Sequence, residues 1–231
     1  MIPETFTYLF VDFFTIIFPL IFSFTKWFNF KDYWRYFIPS CLSGAMIYII
    51  WDMIYTHMGV WGFDHKYTLG VKIFNLPIEE FLFFICTPYA CVFTYFCFKK
   101  YIFQKINYKW NLGWILLSVL FLIIAIFNYQ KLYTCSSFLS SAIAFFLAYK
   151  FDKIRFAHFF VFYLVILIPF FIFNGILTGS FMGRVVVFYN DAENLGIRLL
   201  TIPVEDVFYG LALLLFDIIG FEYLINRNKL K

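Results

Sequence analysis

A chain of 231 residues that is 63% hydrophobic, 26% aromatic and only 14% charged is not an ordinary soluble domain, in which about 25% of residues are charged. The mean hydropathy of +0.82 and the apolar runs about 20 residues long mark a polytopic, all-α integral membrane protein. The net charge of +4 comes from the loops, so it reports membrane orientation and argues against nucleic acid as a partner.

Seven apolar runs follow in chain order, at 5–25, 37–56, 77–98, 112–128, 132–149, 157–177 and 203–225. The first lacks a basic n-region and a small-residue cleavage site, so it reads as a span and not as a cleaved signal. The fifth is short and carries Ser136, Ser137, Ser140, Ser141 and Ala142, a composition that suits close helix packing. The segments after spans one, three, five and seven hold thirteen Lys and Arg, against five in the remaining loops. By the positive-inside rule the N-terminus is expected outside and the C-terminus in the cytoplasm, in a multi-pass protein of a bacterial inner membrane. Five cysteines (Cys41, Cys86, Cys91, Cys97, Cys135) fall inside apolar runs without metal-ligand spacing and read as small buried hydrophobes.

The chain repeats itself. Pro77-Ile78-Glu79-Glu80-Phe81 recurs 126 residues later as Pro203-Val204-Glu205-Asp206-Val207, each copy opening an apolar run. At the same offset Phe63-Asp64 matches Tyr189-Asn190, and Leu69-Gly70-Val71-Lys72 matches Leu195-Gly196-Ile197-Arg198. Asp52 has Asn174 as its counterpart once four extra residues are allowed in the second copy. Such self-similarity governs the reading of everything else. Spans one to three (residues 1–98) and five to seven (132–231) form two parallel three-helix repeats. Residues 99–131, with the fourth span, connect them. A pseudo-two-fold along the membrane normal is expected, with a shared site at the repeat interface.

Asp12, Asp52, Glu79, Glu80, Glu205 and Asp206 fall in one band near the outer face, whereas Asp217 lies about 16 Å deeper on the last helix. Acids in such a band are functional candidates by default. The plain alternative is a helix start, with Pro at the first position and an acid facing the unpaired N–H groups. One copy alone would leave the two readings balanced; two copies with matched upstream loops favour a site. His57 and His65 near the acids offer only a weak metal site. Gly175, Gly179 and Gly183 read as packing or turn glycines, because no strand precedes them.

Carboxyl groups crowded together in a low dielectric hold at least one proton among them. A neutral acid beside a carboxylate is an acid/base pair, and aromatic faces stabilise a cation once water is excluded. Phe81, Phe83, Phe84, Tyr89, Phe208 and Tyr209 are the expected aromatic lining. The combination describes protonation-initiated chemistry on an alkene.

The paired Pro-x-Glu-Glu/Asp helix starts, Leu177-Thr178-Gly179, and the run Tyr189-Asn190…Gly196-Ile197-Arg198…Ile202-Pro203-Val204-Glu205-Asp206 resemble the small membrane lycopene cyclases. Nearly the whole chain resembles the fused, single-chain form of that family. The resemblance implies closure of β-rings at the acyclic ends of lycopene or a related carotenoid, with no net redox change. It also implies no flavin or other cofactor; in keeping with this, no Gly-x-Gly-x-x-Gly follows a strand. Membrane lipid is the expected surrounding, with association with other carotenoid enzymes or a homo-oligomer compatible with the family. The expected catalytic residues are Glu79, Glu80, Glu205 and Asp206, with Glu79 or Glu205 as proton donor and Glu80 or Asp206 as acceptor. The supporting set is Asp52, Asn174, Phe83, Tyr189, Asn190, Arg198 and Tyr209. Which member of each pair gives the proton and which takes it, and whether the repeats build one pocket or two, are left open by the sequence.

Three other classes compete. A membrane prenyltransferase would need Asp-rich metal-diphosphate motifs, which Asn190-Asp191-Ala192-Glu193-Asn194 imitates poorly. A retinal photoreceptor or pump would need a lysine inside the last span, and residues 203–225 contain none. A carotenoid-binding scaffold would keep the aromatic lining without needing both carboxyl pairs.

Overall fold

The computed structural model describes residues 3–105, 111–152 and 154–229. Lys109, Lys153 and Lys231, which enter the charge count, lie outside the described residues. Every expected apolar run is a helix: α1 (Thr7–Ser23), α2 (Trp34–Met58), α3 (Ile78–Tyr101), α4 (Leu112–Phe127), α5 (Leu132–Phe151), α6 (Phe156–Thr178) and α7 (Val204–Lys229). Six of these are long and apolar enough to cross a membrane. The short one is α4, not α5. With 16 residues α4 rises about 24 Å, less than the roughly 30 Å of a bilayer core. Phe18, Ile47, Ile126, Leu164 and Ile168 are all exposed, as expected of side chains that face lipid and not water.

The repeat is visible in the backbone. Two tight hairpins carry the chain into α3 and α7: β2 (Lys72–Ile73) with β3 (Leu76–Pro77), and β5 (Arg198–Leu199) with β6 (Ile202–Pro203). Their registers, Lys72↔Pro77 and Arg198↔Pro203, are the same at an offset of 126. Both turns place a bulky residue in the left-handed region, Phe74 at φ 57° and Leu200 at φ 60°, a conformation normally left to glycine. The two loops meet in a third ladder, β1 (Trp61–Phe63) against β4 (Val187–Tyr189), antiparallel, with Trp61↔Tyr189, Gly62↔Phe188 and Phe63↔Val187 paired. Gly62 thus pairs with its own counterpart, so the pseudo-two-fold axis passes through the Gly62–Phe188 pair.

Helix packing follows the same symmetry. α1 packs on α3 and α5 on α7, while α2 crosses to α7 and α6 to α3; α4 lies along α5. Apolar side chains gain little by leaving lipid, so close contact and interhelical hydrogen bonds hold a membrane bundle together. The serines serve this purpose. Ser118 Oγ donates to the Ala142 carbonyl at 2.8 Å, Ser141 Oγ to that of Phe208 at 2.9 Å, and Ser40 Oγ to that of Asp217 at 2.8 Å. At the opposite end from the hairpins, Lys99 Nζ bridges α3 to the buried Glu222 of α7, 2.6 Å from its Oε2.

Candidate active site

The N-terminal ends of α3 and α7 bring their acids to the repeat interface. The first acid of each pair turns away from it. Glu79 is fully buried, and its Oε1 accepts the Leu69 N–H at 2.6 Å. Glu205 repeats the arrangement, accepting the Leu195 N–H at 2.8 Å and the Thr134 hydroxyl at 2.6 Å. Neither caps its own helix. Pro77 occupies the N-cap position, one residue earlier than the sequence suggested, and each acid ties down the loop ten residues upstream. The remaining oxygens, Oε2 of Glu79 and of Glu205, have no hydrogen-bond partner among the described residues.

The second acid of each pair faces an elongated cavity between α1, α3, α6 and α7. Glu80, Asp52 and Asp206 all line it. From Glu80 it extends as far as Thr94, about 21 Å along α3, past walls that are mostly apolar. Pro19, Pro88 and Pro169, all inside helices, lie along it. Where proline removes a backbone hydrogen bond the helix can open toward a groove.

The two carboxyl groups on this wall sit in different company. Asp206 receives three donors: the Tyr133 hydroxyl, Asn174 Nδ2 at 2.8 Å and the Tyr189 hydroxyl at 2.8 Å. A carboxyl so served has three of its roughly four acceptor positions occupied and one left open. Burial, and then the Asp206 carboxyl, push the Tyr189 phenol well above the ordinary tyrosine range, so it stays a donor. Glu80 accepts from the Tyr8 hydroxyl, and its carboxyl lies within hydrogen-bonding reach of Asp52. Asp52 in turn accepts from Trp61 Nε1. At the same point of the fold, then, the first repeat sets a second carboxyl group beside its acid and the second repeat an amide.

Of the expected supporting residues, Asp52, Asn174, Phe83, Tyr189 and Tyr209 line the cavity. Asn190 and Arg198 do not. The Arg198 guanidinium pairs with Asp191, holding that carboxyl below the usual range, and stacks 5.4 Å from the Tyr189 ring centroid. Asn190 shapes the same loop, its N–H bonded to the Val60 carbonyl at 2.9 Å. Four expected aromatics also belong elsewhere, because their helix faces point into neighbouring packing. Phe81 and Phe84 are not among the lining residues and pack in the side-chain clusters behind them, Tyr89 donates to Ser23 at 2.6 Å, and Phe208 packs on Phe121 and Phe138. Tyr8 and Tyr133, each bonded to a cavity acid, escape a sequence reading. Their only signal is a pair of tyrosines 125 residues apart at the starts of α1 and α5. Asp12 is buried behind Glu79 with both oxygens unpartnered, and Asp217 lies off the cavity in a cleft between α2, α5 and α7. Among the described residues no three His, Cys, Asp or Glu side chains group as metal ligands.

A family model described as lycopene cyclase matches residues 5–98 and 129–224, most of both repeats. The chain belongs to the lycopene cyclase family. No curated protein and no solved structure matches it. Family membership gives this lycopene cyclase family protein a carotenoid as its substrate class, and the slot of apolar side chains leading to a band of carboxyl groups is one of two clefts described in the fold, the other lying between α2, α5 and α7.

Proposed function

We propose that this chain closes β-rings on lycopene or a related acyclic carotenoid, with Glu80 and Asp52 as the acid and Asp206 as the base. The observation that carries this reading is the convergence of Glu80 and Asp206, one from each repeat, on one cavity, the first beside a second carboxyl, Asp52, and the second beside an amide, Asn174. The shared proton of the Glu80–Asp52 pair adds to the terminal double bond of the polyene and leaves a tertiary cation. The next double bond attacks it, closing a six-membered ring and moving the charge onto a ring carbon. Asp206 takes a proton from the adjacent ring position, and the electrons of that C–H bond become the ring double bond. One proton is added and one removed, so the product is an isomer of the substrate. Trp61, Tyr133 and Tyr189, whose rings meet at 5.0–6.4 Å, form an aromatic wall against the transient charge. In this reading Glu79 and Glu205 are positioning residues that fix the loops, and one chain holds one centre. The loops over the site face away from the cytoplasm, in accord with the Lys/Arg bias.

The test is pigment analysis of a lycopene-accumulating host expressing the chain. Cyclised carotenoid is expected from the unaltered protein, and unchanged lycopene from Glu80→Gln and from Asp206→Asn at equal membrane abundance. Cyclised product from both variants would refute the assignment. Unchanged lycopene with the unaltered protein would favour a binding scaffold instead.

A further inference from the structure

A cycle of the proposed kind ends with its proton in the wrong place. Asp206 carries the proton taken from the ring, and the Glu80–Asp52 pair lacks the one it gave. The centre acts again only after a proton has crossed from the second repeat's acid to the first's.

Five tyrosines line the cavity, and four have committed hydroxyls. Tyr8 donates to Glu80, Tyr133 and Tyr189 donate to Asp206, and Tyr163 donates to the Val207 carbonyl. The fifth is Tyr209, whose hydroxyl makes no hydrogen bond to any described residue. Its ring packs on Tyr48 and Trp51, 4.8 and 4.9 Å away, and the aromatic partners of both acid clusters lie a little farther out. The centroid lies 6.2 Å from that of Trp61, which donates to Asp52, and 6.2 Å from that of Tyr133, which donates to Asp206. The Tyr209 hydroxyl lies in the field of Asp52, Tyr48 and Glu80, and more weakly of Tyr189. At the offset of 126 its counterpart is Phe83, which also lines the cavity. The repeat thus places one aromatic ring on each side of the axis, and only one of the two bears a hydroxyl.

We infer that Tyr209 returns the proton from Asp206 to the Glu80–Asp52 pair, an inference that rests on the mechanism proposed above. The phenol gives its O–H proton to the Glu80–Asp52 carboxylate and takes the Asp206 proton onto its oxygen. One O–H bond breaks and one forms at the phenol, the acid is reloaded, and Asp206 is again a carboxylate. No electrons are exchanged. A free hydroxyl suits this task because it has no hydrogen bond to break before it turns from one acid to the other.

The experiment uses Tyr209→Phe, which keeps the ring and removes a group with no bonding partner. Protein reconstituted in lipid is mixed with lycopene, and the first turnover is timed separately from the steady state. The expected result is a first ring closed at the unaltered rate, followed by a steady state slower by about tenfold or more, at the low edge of what positioned proton transfer contributes. The reciprocal variant Phe83→Tyr with Tyr209→Phe puts the hydroxyl on the other side of the axis and is expected to restore the steady state. A steady state unchanged by Tyr209→Phe overturns the relay, as does a first turnover slowed by the same factor as the steady state. A double variant as slow as the single one also overturns it. Persistence of the first turnover in Glu80→Gln counts against the acid assignment itself, and so is distinguishable from failure of the relay.

Discussion

Glu79 and Glu80 are adjacent, yet the structure gives their glutamine variants opposite outcomes. Glu79→Gln keeps an oxygen for the Leu69 N–H, so a charge-assisted hydrogen bond of about 1.5–3 kcal/mol becomes a neutral one of about 0.5–1.5 kcal/mol. The expected effect is a loss of about 1 kcal/mol in stability, with most activity retained by the protein that remains. Glu80→Gln keeps an acceptor for the Tyr8 hydroxyl and offers its amide to Asp52, so the fold should hardly register it. What it lacks is a transferable proton. Loss of a positioned acid slows turnover by about 10²–10⁴-fold, or roughly 3–5.5 kcal/mol of barrier. The assay is thermal unfolding in detergent together with turnover in lipid vesicles, each normalised to the amount of folded protein. Normal turnover in Glu80→Gln combined with its disappearance in well-folded Glu79→Gln would refute the reasoning, because it would put the chemistry on the loop-holding acid.

Three further outcomes follow from the structure. Asp206→Asn leaves a single carbonyl oxygen for three donors, so it is expected to cost about 1–3 kcal/mol of stability and at least about a hundredfold in turnover; full activity would remove Asp206 from the mechanism. Gly220→Ala would bring a Cβ to 2.3 Å from Ser40 Oγ and 3.2 Å from Ser40 Cβ, forcing α2 from α7 at a cost of about 1–3 kcal/mol, and an unchanged unfolding temperature would show the contact to be soft. Reporter fusions near residue 190 and at Lys231 are expected to lie on opposite sides of the membrane, as the thirteen-to-five Lys/Arg distribution requires; matching signals would overturn the orientation.

The helices were legible because a run of some 20 apolar residues has few alternatives to a helix in lipid, and the repeat was legible because its loops kept their letters. Even the hairpin registers follow from the offset of 126. The division of labour inside each acid pair was not legible. Glu79 and Glu80 are equivalent as letters, and only the 100° step between neighbours on a helix decides that one meets Leu69 and the other the cavity. The aromatic lining failed for a related reason, since with so many aromatic residues in the chain composition cannot tell a wall from packing. Tyr8 and Tyr133 were hidden because the first helices of the repeats share almost nothing else. Asp52 and Asn174 were aligned from sequence, but the meaning of the exchange, a second carboxyl beside Glu80 against an N–H donated to Asp206, needed the partners that the fold supplies.

The ladder of Trp61–Phe63 with Val187–Tyr189 is centred on Gly62 and Phe188, which is the contact two identical chains would make across a dimer axis. In a homodimer such an isologous contact obliges both sides of the site to carry the same residues, and a centre that needs a giver and a taker of protons would have two of each or neither. Within one polypeptide the copies are separate positions, free to drift apart. Aspartate opposite asparagine at 52 and 174, and phenylalanine opposite tyrosine at 83 and 209, are differences that two identical chains could not hold.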